Sequence, residues 1–283
     1  MLKLIDVEKS YGKELVLYNI NLNFENPHGV YGLLGRNGAG KTTMMKMIFN
    51  MIQSYQGKIE LNGENLKNNS EALSQIIYVG GDIYRNNTLL QGKIKNIFRA
   101  YQAMYPHFDL DFAQKMLAHF NLKDKKKFSK LSTGNKTLVQ NILGLASRAP
   151  ITILDEPTNG LDSVNRQVFF RYMMEDYQNH PRMFILSTHL IQEVENYLTD
   201  VIMLKDAKIL MAETIETIQS KAHRVINYSL PDKNSIRQEN LGGLVTQDIY
   251  DDLSEEEIQT IIQAGGKVNF LGLQTLFNDL MEG

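Results

Sequence analysis

Hydrophobic positions along the chain change period several times, and each change predicts an element. Leu2 to Val7 alternates as an edge-type strand, and in YNINLNF the apolar residues Ile20, Leu22 and Phe24 alternate with asparagines, so one face of an antiparallel sheet is wet. Val30 to Leu34 (VYGLL), Ile76 to Val79, Ile151 to Leu154 and Met183 to Leu186 are instead continuous short apolar runs, the pattern of strands buried on both faces. GKIEL, closing on Asn62 and Gly63, predicts a hairpin arm. From 88 to 149 the period becomes helical, with Ile94, Ile97, Phe98, Tyr101 and Met104 on one stripe and a second repeat in FAQKMLAHFNL. Aromatic residues Phe98, Tyr101, Tyr105 and Phe108 are expected in the core of that inserted helical segment. A helix is expected from Ser163 to Tyr177, capped by Asp162 or Ser163, and another from Leu190 to Tyr197. Val201 to Leu204 and Lys208 to Met211 flank an Asp206-Ala207 turn. Beyond about 215 only a small αβ unit is visible, from Val225 to Leu230, Leu244 to Asp248, Glu255 to Ala264 and Leu271 to Met281. No recognisable catalytic group lies there, so that stretch is expected to be dispensable for the chemistry.

The stretch that changes this picture most is Gly35 to Thr43, GRNGAGKTT, placed between a buried strand and a Met-rich helix. Gly35, Gly38 and Gly40 remove the Cβ atoms that would block tight turns, so that successive backbone amides, including those of Asn37, Ala39 and Thr43, can point at a polyphosphate. Lys41 can reach its outer phosphates, the Thr42 hydroxyl can sit on Mg²⁺, and the helix N-terminus adds a favourable dipole. ITILDE ends a buried strand in two carboxylates at the same sheet edge. Asp155 there can hold Mg²⁺ through water, and Glu156 can face the terminal phosphate as base or water orienter. Taken alone, LSTGN is a weak signal: it reads first as a plain N-cap by Ser132, and otherwise as a second anion-binding helix start with the Gly134 amide. His189, ending MFILSTH, is either structural or a phosphate contact, and Tyr11, in a turn, is either packing or a base contact.

Composition narrows the alternatives. The chain has 283 residues, 43% of them hydrophobic, which is enough to bury a sizeable core. A formal charge of -2 creates no overall field for nucleic acid, and none is expected as a partner. Lys123 to Lys130 (KDKKKFSK) reads as a solvated face. With Cys 0, disulfides, thiolate nucleophiles and cysteine metal sites are excluded, and the scattered histidines have no metal-ligand spacing. No apolar run approaches the roughly 18 residues of a membrane span, and the first residues lack a signal-peptide core.

In that order and at that spacing, GRNGAGKTT, LSTGN, ILDEPTNGLD and STH resemble the ATP-binding subunit of an ABC transporter, from Met1 to about Ala212. The segment YPHFDLDFAQKMLAHFNLKDKKKFSKLSTG is similar to the bacterial exporter subgroup that works with separately encoded permeases. The resemblance implies an α/β fold of the P-loop NTPase type. It comprises an ABC ATPase core at 1–212 with an N-terminal antiparallel β region, an inserted helical subdomain at about 88–149, and a small C-terminal α+β appendage at 213–283. It implies ATP and Mg²⁺ as cofactors. Tyr11 would stack on adenine; Gly35, Asn37, Gly38, Ala39, Gly40, Lys41, Thr42 and Thr43 would hold phosphates; Thr42 and Asp155 would hold the metal. Glu156 would be the catalytic glutamate and His189 the switch histidine. Ser132 and Gly134 would bind ATP held by a second subunit, identical or homologous, and Asp162 would contact that subunit. The implied partner is a membrane permease, on the cytoplasmic face, exporting peptides, antibiotics or lipid-like compounds; the alternative is a nucleotide-dependent switch or a non-transport ATPase of the same family. Two departures stand out. Gly81 occupies the place of the family's usual glutamine, so that either the neighbouring Asp82 serves as metal and permease sensor or the segment is a plain Gly-Gly turn with a solvated aspartate and looser coupling, and the signature motif has Thr133 and Asn135 where glycine and glutamine are commonest.

Overall fold

The computed structural model describes residues 1–81 and 88–282. The chain opens with β1 (Leu2–Tyr11) and β2 (Glu14–Phe24), an antiparallel pair in which Leu2 faces Phe24 and Leu4 faces Leu22. β3 (Val30–Gly35) then enters the centre of the molecule and delivers α1 (Lys41–Ile48). β4 (Gln56–Leu61) and β5 (Glu64–Asn65) form the expected hairpin around Asn62 and Gly63, both in left-handed backbone. They complete a sheet of order β2-β1-β4-β5, so β1 is an inner strand rather than an edge. Its alternation reports one wet face and carries no information about its lateral neighbours.

A short α2 (Ser70–Ser74) leads into β6 (Ile76–Val79). The helical segment follows: α3 (Ile94–Met104), α4 (Leu110–His119, capped by Asp109) and α5 (Thr133–Ser147, capped by Ser132). Ile94, Ile97, Phe98, Tyr105 and Phe108 are buried as expected, and Tyr101 is partly buried against the same core. Met104, placed on the apolar stripe by its spacing, is exposed because it is the last residue of α3, where the chain turns away.

Parallel α/β structure resumes with β7 (Ile151–Asp155), α6 (Ser163–Asn179, capped by Asp162) and β8 (Met183–Ser187). The expected helix at 190–197 divides into α7 (Ile191–Val194) and a 3-10 turn at Glu195–Tyr197 before the backbone becomes extended at Leu198. β9 (Asp200–Lys205) and β10 (Lys208–Thr214) close a six-stranded sheet of order β10-β9-β3-β8-β7-β6. From β9 to β6 the pairings are parallel, so every β3, β7 and β8 residue is buried between two layers. One large apolar cluster joins this sheet to the helical segment, and a second joins its other face to β1, β2 and α1.

After α8 (Ile215–Lys221), β11 (Ala222–Ile226), β12 (Ser235–Leu241), β13 (Leu244–Tyr250), α9 (Glu255–Gln263), β14 (Lys267–Phe270) and α10 (Leu273–Glu282) follow. The strands form an antiparallel sheet of order β12-β13-β11-β14. β11 stops short of Leu230 because Asn227 adopts a left-handed φ of 57°, and Leu230 is instead held through its backbone by the Gln247 side chain at 2.8 and 3.0 Å. Among the described residues, no helix is long and apolar enough to cross a membrane.

Candidate nucleotide site

The C-terminal ends of β3, β7 and β8 lie side by side, and the chain places its chemistry there. After β3 the loop turns on an Ala39 N–H to Arg36 carbonyl bond of 3.1 Å, then passes through Gly38 and Gly40 at φ 84° and 99°. A Cβ on Gly40 would lie 2.8 Å from the Leu17 side chain and 2.9 Å from the Val16 carbonyl, so only glycine closes this turn. The Met44 amide then bonds the Gly40 carbonyl, leaving the first amides of α1 without helical partners and facing the loop. Lys41 is buried and donates to the carbonyls of Gly35 (2.6 Å) and Arg36 (3.1 Å). Burial lowers its pKa, against the opposing pull of Glu156 and Asp155. No ion pair of Lys41 is formed among the described residues. A buried ammonium with only carbonyl partners is a cation awaiting an anion.

Asp155 ends β7 and is gripped from both sides: the Tyr78 hydroxyl donates to Oδ2 (2.8 Å) and the Ser187 hydroxyl to Oδ1 (2.6 Å). These bonds fix the carboxylate plane while each oxygen keeps a further lone pair. Ser187 also accepts the Glu156 amide at 3.1 Å, tying the β7 end to the β8 end. Glu156 turns out of the sheet with a left-handed φ of 52°, and its Oε2 lies 2.9 Å from His189 Nδ1. An ionised carboxylate only accepts, so Nδ1 carries the hydrogen. The strand-end Asp155 thus points inward and its neighbour Glu156 points toward solvent, dividing two adjacent carboxylates between two environments.

Thr42, Asp155 and Glu156 open onto one cavity of about 270 Å³, together with Gly81 and, from α5, Thr133 and Lys136. Sequence reasoning did not find Tyr78 or Lys136. Tyr78 sits inside an apolar run, and only the parallel β6–β7 pairing brings it beside Asp155. Ser132, Gly134 and Asp162 do not line this cavity. The Ser132 side chain accepts the Asn135 amide at 3.3 Å and Asp162 accepts the Asn165 amide at 2.8 Å, both as helix caps. A Cβ on Gly134 would lie 2.3 Å from the Gly160 carbonyl, so the α5 start is seated directly on the loop between Glu156 and Asp162. Tyr11, the last residue of β1, is about half exposed at 49%, with the Lys9 ammonium 4.6 Å from its ring centroid. Asn37 is exposed, Ala39 and Thr43 are half-buried, and Gly35 is buried against the Leu204 carbonyl. Asp82 lies outside the described residues.

No group of three or more histidine, aspartate or glutamate side chains among the described residues could cage a metal. The donors suit Mg²⁺ bound through a hydroxyl, one carboxylate and the oxygens of a phosphate ligand.

A family model described as ABC transporter matches residues 17–159. The ABC transporter ATP-binding protein YtrB of Bacillus subtilis (strain 168) is 27% identical over 85% of this chain and 82% of its own length. The bacitracin transport ATP-binding protein BcrA of Bacillus licheniformis is 29% identical over 83% and 76%, respectively. Among solved structures, a dimeric ATP-binding cassette in a post-hydrolysis state with ADP and Pi superposes with a TM-score of 0.64 at 23% identity, over 76% of this chain and 99% of that one. A putative cobalt transport ATP-binding protein gives 0.67 at 24% identity, over 92% of this chain and all of that one, 100%. With its phosphate loop, paired carboxylates and strand-end histidine gathered at one sheet edge, the chain belongs to the ABC transporter family, as one of its ATP-binding and ATP-hydrolysing subunits.

Proposed function

We propose that this chain works head to tail with a second copy or a homologous ATPase subunit, and that the pair drives a separately encoded permease from the cytoplasmic face of a membrane. The cargo class that best fits is peptides, antibiotics or lipid-like compounds, supported by relatives named for bacitracin and lantibiotic transport. In this reading Lys41 and the amides of residues 35 to 43 hold the β- and γ-phosphates, and Tyr11 offers a ring face to adenine. Thr42 and Asp155 hold Mg²⁺, which neutralises phosphate charge when bound. Glu156 accepts a proton from the attacking water and His189 holds the glutamate in position. Ser132 and Gly134 complete the partner's site rather than their own, and Asp162 faces the partner.

The single observation that carries this reading is the 2.9 Å contact between His189 and Glu156 at the mouth of the cavity shared by Thr42 and Asp155. A catalytic base at that place predicts that Glu156→Gln binds ATP as wild type does and loses turnover by about a hundredfold or more. With ATP and Mg²⁺ present, the same variant runs as a dimer in size-exclusion chromatography. A monomer with near-wild-type turnover overturns the assignment.

A further inference from the structure

The C-terminal sheet covers one of its faces with α9, through Val225, Ile249 and Ile261. α10 behaves differently. Its Leu273, Leu276 and Met281 are buried in the large central cluster, together with Leu34 at the end of β3 and Ile191 and Val194 of α7, the helix that begins just after His189 and against which α10 packs. The last turn of α10 is fastened at the catalytic edge as well: Lys205 Nζ donates to the Leu280 carbonyl at 2.9 Å. Lys205 ends β9, whose Leu204 is paired with Gly35 at the start of the phosphate loop. A lysine at this place satisfies a helix-end carbonyl and meets the negative end of the helix dipole. Beyond it, Met281 lines an open hollow of about 560 Å³ whose other walls include Arg36, Asn37, Gly38 and Ala39.

The opposite flank of α10 is tied to the C-terminal sheet. Arg237 of β12 bonds Asp279 at 3.2 Å and Glu282 at 2.8 Å, and Arg224 of β11 pairs with the buried Asp248 of β13. α10 therefore spans from a charged network in the C-terminal sheet to the rim of the phosphate loop. Everything after residue 215 looked dispensable in sequence because it holds no reacting group. Its last helix nevertheless supplies, through Met281, one wall of the hollow that borders the phosphate loop.

We infer that α10 is a positioning element of the nucleotide site, with Met281 and the Lys205–Leu280 contact bracing the outer side of the phosphate loop. Neither residue touches the reacting atoms. Their effect is on how well the loop is preformed for the polyphosphate, and small misplacements of binding groups have large consequences. The C-terminal unit thereby acquires a route to ATP affinity: Arg237 to Asp279, along α10 to Lys205, and through the neighbouring Leu204–Gly35 pairing to the start of the loop. The inference rests on ATP being the ligand of this loop.

The test uses the full-length chain with Met281→Ser, Lys205→Met and, as a conservative rescue, Met281→Leu. The exposed α9 substitution Ile262→Ser serves as a control away from the site. Affinity is read with a fluorescent ATP analogue, independently of hydrolysis, and turnover gives KM and kcat. Met281→Ser and Lys205→Met should each weaken analogue binding and raise KM about five- to tenfold, with kcat within about twofold, the signature of lost uniform binding. Met281→Leu and Ile262→Ser should match wild type. Unchanged affinity and KM in Lys205→Met, which removes only the outer contact and leaves the buried methionine in place, overturn the inference even if Met281→Ser misfolds. An equal loss in Ile262→Ser also overturns it, by showing general loosening. Failure of wild type to bind the analogue would instead strike at the ATPase reading itself.

Discussion

Lys41 and Arg182 are both buried cations beside the central sheet, one after the C-terminal end of β3 and the other before the N-terminal end of β8. Arg182 already has its counter-charge. Its guanidinium donates to Asp176 Oδ2 at 2.7 Å, the Leu145 carbonyl at 3.0 Å and the His180 carbonyl at 3.0 Å, while Arg148 bridges Asp176 to Asp109. Burial lowers its pKa and Asp176 opposes that, the balance expected of an internal ion pair. Lys41 has two carbonyls, and the nearest carboxylates act on it through space while bonded elsewhere. Cavity size would point the wrong way. The hollow beside Arg148 and Arg182 is about 750 Å³ and the one beside Thr42 and Asp155 about 270 Å³. What separates architecture from a binding site is whether the charge already has its counter-charge.

This contrast can be broken by experiment. The largest effect belongs to the charge-paired edge: Asp176→Ala strands the buried Arg182, while Arg148 keeps Asp109, and should cost about 3–5 kcal/mol of stability. In a thermal or urea melt that loss should appear with ATP affinity of the folded fraction unchanged; a loss of affinity without loss of stability would reverse the roles of the two edges. Next, Lys41→Ala should weaken ATP binding by about a hundredfold, near 2.7 kcal/mol, while the melt of the nucleotide-free chain stays level or rises, since a buried charge is removed. Titration calorimetry decides it, and an affinity within threefold of wild type would mean the phosphates lie elsewhere.

Smaller effects sharpen the picture within the nucleotide edge. Ser187→Ala removes one grip on Asp155 and one of the two acceptors of the Glu156 amide, the Ser187 carbonyl remaining, and should cost about 1–3 kcal/mol in the Mg²⁺-dependent part of turnover. Tyr78→Phe removes the other grip and should cost about 1 kcal/mol. Both are read as a shift in the Mg²⁺ concentration for half-maximal turnover. If Tyr78→Phe exceeds Ser187→Ala, the strand pairing matters less than the grip on Oδ2.

The phosphate loop, the two carboxylates and the histidine were legible because their geometry is local: glycines at fixed offsets, or an apolar run ending in polar residues, carry their own backbone instructions. The buried strands were legible for the same reason. Tyr78 and Lys136 were not, since they reach the site only through strand pairing and the seating of α5, and nothing in IIYV or NKTL announces a neighbour across the sheet. The alternation of β1 suits an edge strand as well as the inner one it is, because alternation describes faces and not lateral order. The place of α10 beside the site is not legible in its sequence, because an amphipathic helix states that it packs but not on what. Ser132 and Asp162 were readable as caps at once, whereas the roles that family resemblance adds to them concern a second chain.

The left-handed backbone at Glu156 has a practical consequence for anyone surveying replacements at this position. Asparagine, aspartate and glycine tolerate that conformation, glutamate and glutamine adopt it at modest cost, and valine, isoleucine or threonine resist it strongly. A saturation library at residue 156 would therefore mix two unrelated sorting pressures, one for carboxylate chemistry and one for backbone handedness. Loss of activity in a β-branched variant would say nothing about the proton. Comparing the glutamine variant with asparagine and glycine separates the pressures, because all three tolerate the turn and none of them can act as a base.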